Sequence, residues 1–192
     1  VVTLGELLEN LKTKPKKWVV GGGSAVGGWD HLKVLMAAKE YGISNVRKIK
    51  YVSFDGGGDA VTQLLAGNVQ IFTGDVSEIK GFVDAGDIKI IAVLSPKRLP
   101  GDFSKFYTAK EQGVNVVGAN WRGFYVPKGM SDDAYTFWAG AIKKMYDTPQ
   151  WKKTMAKNGL APLDLSGKAF EAFVANSVAS IQTISKQIGI IK

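Results

Sequence analysis

No cysteine occurs in this chain of 192 residues, and histidine occurs once, at His31. The first absence excludes disulfides and thiolate metal sites. The second removes the parts for a histidine-based metal site or a catalytic triad. The carboxylates show no paired spacing, so no nucleophile–base–orienter set can be assembled. No apolar run approaches the ~20 residues that span a bilayer, and the first residues do not read as a signal peptide. The expectation is a soluble or already processed chain with no metal, no cofactor and no catalytic residues.

Apolar residues make up 45% of the sequence, enough for a packed core. The length suits one substantial domain or two small ones. The net charge of +8 favours acidic partners, from small anions to nucleic acid or a membrane surface. The lysine clusters at Lys12 to Lys17 and Lys143 to Lys157 have no interleaved aromatics on a strand. They match no nucleic-acid motif, so nucleic acid is not expected.

The order of elements is legible from periodicity. Thr3 reads as an N-cap before Leu4, Leu7, Leu8 and Leu11 at helical spacing. Trp18 to Val20 reads as a buried strand, Trp29 to Met36 as a helix ended at Gly42, and Lys48 to Phe54 as an alternating strand. Val61 to Leu65 continues as a helix closed at Gly67, Val69 to Phe72 as a strand, Val76 to Val83 as a helix closed at Gly86, and Ile88 to Leu94 as an apolar strand. Short apolar strands alternating with helices predict an α/β fold with a doubly wound, mostly parallel sheet. Beyond Pro127 the chain is nearly all helical, with Ala134, Phe137, Trp138, Ala141, Ile142 and Met145 on one apolar face. Trp138 on that face reads as core, and Trp121 as a residue that could line a site. Only one strand, near Arg122 to Val126, is available in this part, so its helix faces lack an evident partner.

Three loops stand at the carboxyl ends of predicted strands, where open parallel sheets bind ligands. The first, Gly21 to His31, is a glycine-rich turn opening a helix, which suits an anion. It lacks the Gly-Lys-Ser/Thr ending of a phosphate loop, and Val26 stands where a dinucleotide fingerprint needs its third glycine. Anion capture and a plain tight turn both remain open there. The second loop is Phe54 to Asp59 and the third Thr73 to Ser77. Helix capping accounts equally for Asp55, Asp59 and Asp75, and a structural hydrogen bond for His31.

Several motifs occur in one order: Thr3-Leu4-x-Glu6-Leu7, Gly23-Ser24 with His31 downstream, Tyr51-x-x-Phe54-x-Gly56-Gly57-x-x-Ala60 and Leu64-Leu65-Ala66-Gly67-x-Val69. Ala85-Gly86-x-Ile88, Ser95-x-x-Arg98, Thr108-x-x-Glu111-x-Gly113, Trp121-x-Gly123 and Pro127-x-Gly129 follow. In this series the chain resembles the substrate-binding proteins of tripartite tricarboxylate transporters, the Bug receptors. Tyr107, where the family usually has proline, and the inserted Gly27-Gly28-Trp29 depart from it.

The resemblance implies a type II periplasmic binding protein without the N-terminal part of its first domain. Residues 1–118 would form the domain 2-like ligand lobe. Residues 119–192 would be a return strand and helices that normally complete domain 1. It also implies a periplasmic receptor without enzymatic activity, whose partners are a small di- or tricarboxylate or related acid and the subunits of a membrane transporter. The ligand would be held by backbone N–H groups of Gly22, Gly23, Ala25, Gly57 and Gly58, by the Ser24 hydroxyl, and by Thr73, Asp75 and Val76 on a third side. With the other half of the site outside the chain, the expectation is weak or no binding by this chain alone. Two alternatives stand beside it. One is an α/β hydrolase or transferase using Ser24, although Gly22-Gly23-Ser24-Ala25-Val26 is not a G-x-S-x-G elbow. The other is a dimer, or a complex with a complementing N-terminal segment, that covers the unpartnered apolar faces.

Overall fold

The computed structural model describes residues 2–191. It opens with α1 (Leu4–Thr13), where the Thr3 hydroxyl accepts the Glu6 N–H at 3.2 Å and closes the helix N-terminus. Leu4, Leu7, Leu8 and Leu11 all turn into the core, as their spacing predicts. The chain then alternates as β1 (Val19–Gly22), α2 (Trp29–Glu40), β2 (Lys50–Ser53), α3 (Gly57–Leu65), β3 (Ile71–Thr73) and α4 (Val76–Ala85). Gly42, Gly67 and Gly86 follow α2, α3 and α4 with φ of 90°, 78° and 81°, a conformation that favours glycine and ends a helix.

The three strands form one parallel sheet in the order β2-β1-β3. Val20 stands opposite Tyr51 on one side and Ile71 on the other, so β1 is central, and Val20 is fully buried. The step from β1 to β2 and the step from β2 back past β1 to β3 run in opposite directions. With right-handed crossovers, α2 and α3 then cover opposite faces, which is the doubly wound arrangement. Val20, Leu8, Leu11, Leu32 and Leu35 form the centre of the core, each at most 2% exposed.

The expected strand at Ile88 to Leu94 does not form a ladder. Its contact is a single parallel bridge, Val93 with Thr108. Its backbone groups are taken up by loops instead: Ile91 O accepts the Gln112 side-chain amide at 2.9 Å, and Leu94 O accepts Gly118 N–H at 2.8 Å. The stretch Tyr107 to Gln112 holds one 3-10 turn, Lys110–Gln112. No strand forms at Arg122 to Val126 either. Apolar composition alone does not make a strand where no neighbouring strand offers its backbone, and here Phe124 and Tyr125 are 69% and 70% exposed.

The remainder is α5 (Asp132–Asp147), α6 (Pro149–Lys157) and α7 (Gly167–Gln187). Ser131 caps α5 and Thr148 caps α6, each accepting an N–H three residues on, and Pro149 opens α6. Ser166 occupies the cap position of α7 without a side-chain bond. These helices touch the α/β unit at the end of α7 and after α6. Ile184 and Ile188, at the end of α7, join the main core, and Gly159 lies against Phe103 and Val76. Between these contacts the apolar face of α5 is open. Phe137 and Trp138 are 67% and 53% exposed, so Trp138 is not the core residue its periodicity predicts. Amphipathic spacing identifies a face that needs covering but says nothing of whether the cover is present.

Candidate functional site

The first glycine loop leaves β1 through Gly21 and Gly22, both buried. A side chain at Gly21 would press on Phe54 and Val69; one at Gly22 would meet the Tyr51 hydroxyl at 2.5 Å and Thr73 O at 2.9 Å. These glycines let three strand ends close together. Gly23 is tighter still. A Cβ there would lie 2.6 Å from the Gly56 carbonyl carbon and 2.7 Å from Gly57 N, both backbone atoms that cannot move aside alone. The loop after β1 and the loop after β2 are therefore in direct contact.

The turn that follows is held by its own polar groups. Ser24 Oγ accepts the Asp30 N–H at 3.0 Å, capping α2 from six residues upstream. The Tyr51 hydroxyl donates to Ser24 O at 2.8 Å. His31 Nδ1 accepts the Gly27 N–H at 3.0 Å, and its ring stacks on Tyr51 with centroids 4.5 Å apart. Burial lowers the His31 pKa below its usual value and raises that of Tyr51. His31 is thus a buried, neutral hydrogen-bond acceptor. Its Nδ1 is engaged within the turn, and nothing pairs it with Ser24 as a base with a nucleophile.

The third loop joins from the other side. The Thr73 hydroxyl donates to Asp30 O at 3.1 Å. Lys33, on α2 and only 4% exposed, reaches Asp30 at 2.8 Å, Gly74 O at 3.3 Å and Asp75 at 3.9 Å. Asp75 also accepts from the Asn120 amide at 3.0 Å and is paired with Arg122. The helix-capping position read for Asp75 is present at the start of α4, but its carboxylate ties the α/β unit to the segment after Gly118. The Glu78 carboxylate accepts the Asp75 N–H at 2.9 Å and lies against Gly57 and Gly74.

The structure therefore brings Gly22, Gly23, Ser24, Gly57, Thr73 and Asp75 into one cluster at the carboxyl ends of the strands. Gly58, in the first turn of α3, has open space around its α-carbon, and Ala25 is exposed at the loop tip. Val76 is turned toward Gly159. Sequence reasoning passed over Lys33 and Glu78. A weak signal existed for each: Lys33 stands three residues after Asp30, and Glu78 three after Asp75, both one turn along a helix.

A cavity of about 1150 Å³ adjoins this cluster, bounded by Lys33, Thr73 to Val76, Ile88 to Pro96, the segment 118–126 and the C-terminal helices. Trp121 lines it, packing edge-on to Phe170 and Phe173 at 5.5 and 5.6 Å. Gly22 to Ala25 and Gly57 to Gly58 lie outside its lining. Among the described residues no group of three or more His, Asp or Glu side chains could hold a metal ion.

A parallel sheet whose glycine-rich strand-end loops meet in one cluster defines the class: an α/β lobe of the periplasmic-binding-protein type. The tripartite tricarboxylate transporter family receptor model matches residues 1–190, and the chain belongs to that family. A UPF0065 protein of Cupriavidus necator is 23% identical over all 192 residues, which make up 57% of that relative. Among solved structures, Rpa4515 of R. palustris, with adipate, matches at a TM-score of 0.87 and 22% identity over 98% of this chain and 62% of its own. The periplasmic binding protein BugD matches at a TM-score of 0.85 and 21% identity, with the same coverage. At these identities the two structures establish the fold. The chain spans 57% of the length of the Cupriavidus relative and 62% of each of the two solved structures. The family is one of substrate-binding receptors and not of enzymes, so the Ser24 hydrolase alternative is not favoured.

Proposed function

We propose that this chain is the ligand lobe, and part of the second lobe, of a periplasmic receptor that captures a small carboxylate for a membrane transporter. The observation that carries the reading is the packing of Gly23 on the Gly56–Gly57 backbone. Two runs of backbone N–H groups, one following β1 and one opening α3, are thereby held side by side. Such groups bind a carboxylate without any cationic side chain, and the helix terminus adds its positive dipole. Gly22, Gly23, Ser24 and Ala25 form one edge, Gly57 and Gly58 the second, and Thr73 to Val76 the third. Family membership and the adipate found in Rpa4515 support a carboxylate as the ligand.

Residues 1–118 act as the binding lobe and 119–192 as the portion that joins a second lobe. The opposite side of the site comes from a segment outside these 192 residues, and closure of the two lobes traps the ligand. The exposed aromatic residues of α5 and the cavity beside Trp121 support this reading, being apolar surface of the kind a second lobe would cover.

Titration of the ¹⁵N-labelled chain with millimolar succinate tests the site. The expected result is weak binding, with Kd on the order of 1 mM, that moves the amide signals of Gly22, Gly23, Gly57 and Gly58. Unmoved glycine signals at ~50 mM ligand, far above that Kd, would overturn the carboxylate site. Calorimetric binding at micromolar or tighter affinity would show that the chain needs no second half.

A further inference from the structure

We infer that the amino-terminal end of the sheet, opposite the glycine loops, is a basic face that docks on an anionic lipid surface. This stands independently of the carboxylate reading above. The face is built from three stretches: 9–17, which leads into β1; 39–50, which leads into β2; and 184–191, at and after the end of α7. Together they hold nine basic residues and two acidic ones, Glu9 and Glu40, against a net charge of +8 for the whole chain. The fold brings them to one place. β1 and β2 are parallel neighbours with Val19 opposite Lys50, so Lys16 and Lys17 enter the sheet beside Lys48 and Lys50. α2 runs back against the strands and delivers Lys39 to the same end, where its Nζ donates to Gln187 O at 3.4 Å. A Cβ on Gly189 would lie 3.4 Å from Arg47 Cδ. Lys39, Arg47 and Gln187 thereby border one recess of about 310 Å³.

The charge on this face is uncompensated. Lys14, Lys16, Lys17, Arg47, Lys48 and Lys50 are all exposed. Among the described residues the ion pairs are made elsewhere, by Lys33, Lys80, Arg98, Arg122 and Lys143. Glu9 does not relieve the crowding, because its carboxylate accepts the Tyr41 hydroxyl at 3.2 Å. Cations gathered this way repel one another until an anionic partner covers them. The opposite end of the sheet is acidic, with Asp30, Asp55, Asp59, Asp75 and Glu78 at or just after the carboxyl ends of the strands. An anionic surface therefore attracts one end of the α/β unit and repels the other, which orients it with the glycine loops toward solvent. The residue types favour lipid over an acidic peptide. Eight of the nine cations are lysines, point charges on flexible stems, whereas defined carboxylates are read by arginine forks. Lysines spread over separate loops match a surface of mobile phosphates.

Cosedimentation with vesicles tests the face. The chain should bind phosphatidylcholine vesicles containing about 30% phosphatidylglycerol at about 20 mM salt, and leave them at about 0.5 M, where charges are screened within a few ångströms. Vesicles of phosphatidylcholine alone should not bind it. Lys16→Gln, Lys17→Gln, Lys48→Gln and Lys50→Gln combined should weaken binding at least about tenfold, since each basic side chain near an anionic surface adds to the attraction. The same charge removed from α5 and α6, by Lys144→Gln, Lys152→Gln, Lys153→Gln and Lys157→Gln, should weaken it less than about threefold. All eight lysines are exposed, so neither variant disturbs the core. Absence of salt-sensitive binding to the anionic vesicles, equal binding to both kinds of vesicle, or equal losses in the two variants overturns the inference. So does capture of soluble poly-glutamate without vesicle binding, which would assign the face to an acidic polypeptide.

Discussion

Gly23 and Gly57 are in contact through their backbones: a Cβ on Gly23 would lie 2.7 Å from Gly57 N. The first glycine-rich run is thus neither a phosphate loop nor a loose corner. It is one of two polypeptide edges pressed together, and no residue larger than glycine fits at the point of contact.

Gly23→Ala should accordingly cost about 1–3 kcal/mol, the usual range for overpacking a filled site. It should also abolish carboxylate-induced shifts at both loops by parting them. Gly58→Ala offers the contrast, since nothing lies within 4 Å of the added methyl and the residue sits in the first turn of α3. It should be neutral or stabilise by roughly 0.5–1 kcal/mol through the unfolded chain. Urea unfolding of the two variants checks both, and equal losses would contradict the asymmetry.

Lys33→Met should destabilise by about 3–5 kcal/mol, the range for removing one partner of a buried ion pair. The Lys33 ammonium is buried among Asp30, Asp75 and Gly74 O, and its loss leaves two neighbouring carboxylates facing each other. Adding Asp30→Asn to Lys33→Met should recover a measurable part of the loss, because the two residues share one network. A double-mutant cycle in urea measures that coupling. Strict additivity would show that the pair does not act as a unit.

Stability should fall as the pH drops below neutral, and His31 should be a source of that fall. Burial holds the folded-state pKa of His31 below its ordinary value of 6.5. At pH above 6.5 both folded and unfolded chains carry the neutral ring, and the contribution is fully present. As pH falls through 6.5 toward the lower folded value, the unfolded chain takes up a proton that the folded chain refuses, and stability is lost. Urea midpoints between about pH 5 and 8, the span in which histidine titrates, should slope downward toward acid. His31→Gln should flatten the curve over that span, and an unchanged slope would assign the pH dependence elsewhere.

Trp138→Lys should change stability by less than about 0.5 kcal/mol, because the side chain is over half exposed and packs into no core. If the open face of α5 pairs with a second copy of the chain, sedimentation of the unsubstituted protein should depend on concentration and that of Trp138→Lys should not. A monomer at every concentration in both proteins would leave the face to a different partner.

The local grammar of the first eighty residues was open to reading. The leucines of α1 repeat at helical spacing, Thr3 caps them, and Gly42, Gly67 and Gly86 end three helices with positive φ. Those signals are local: they depend on backbone geometry within a few residues, which composition reports directly. The glycine loops could be placed at strand ends, but their mutual contact could not. It arises between residues thirty-four positions apart, Gly23 and Gly57, and depends on β1 and β2 being neighbours in the sheet.

Periodicity was misleading where a segment needed a partner. Ile88 to Leu94 has the composition of a strand, and Trp138 the position of a core residue, yet the first makes a single bridge and the second faces outward. A ladder requires a second backbone and a core requires a second surface, and neither is encoded in the segment itself. The helices, their caps and stops, the parallel α/β pattern and the family were all readable from the order of residues. Folding alone puts Glu78 beside Gly57 and Gly74, buries Lys33 between two aspartates, and lets Asp75 join the α/β unit to Asn120 and Arg122. These pairings join side chains from different loops, so they exist only once the sheet order β2-β1-β3 has brought the strand ends together.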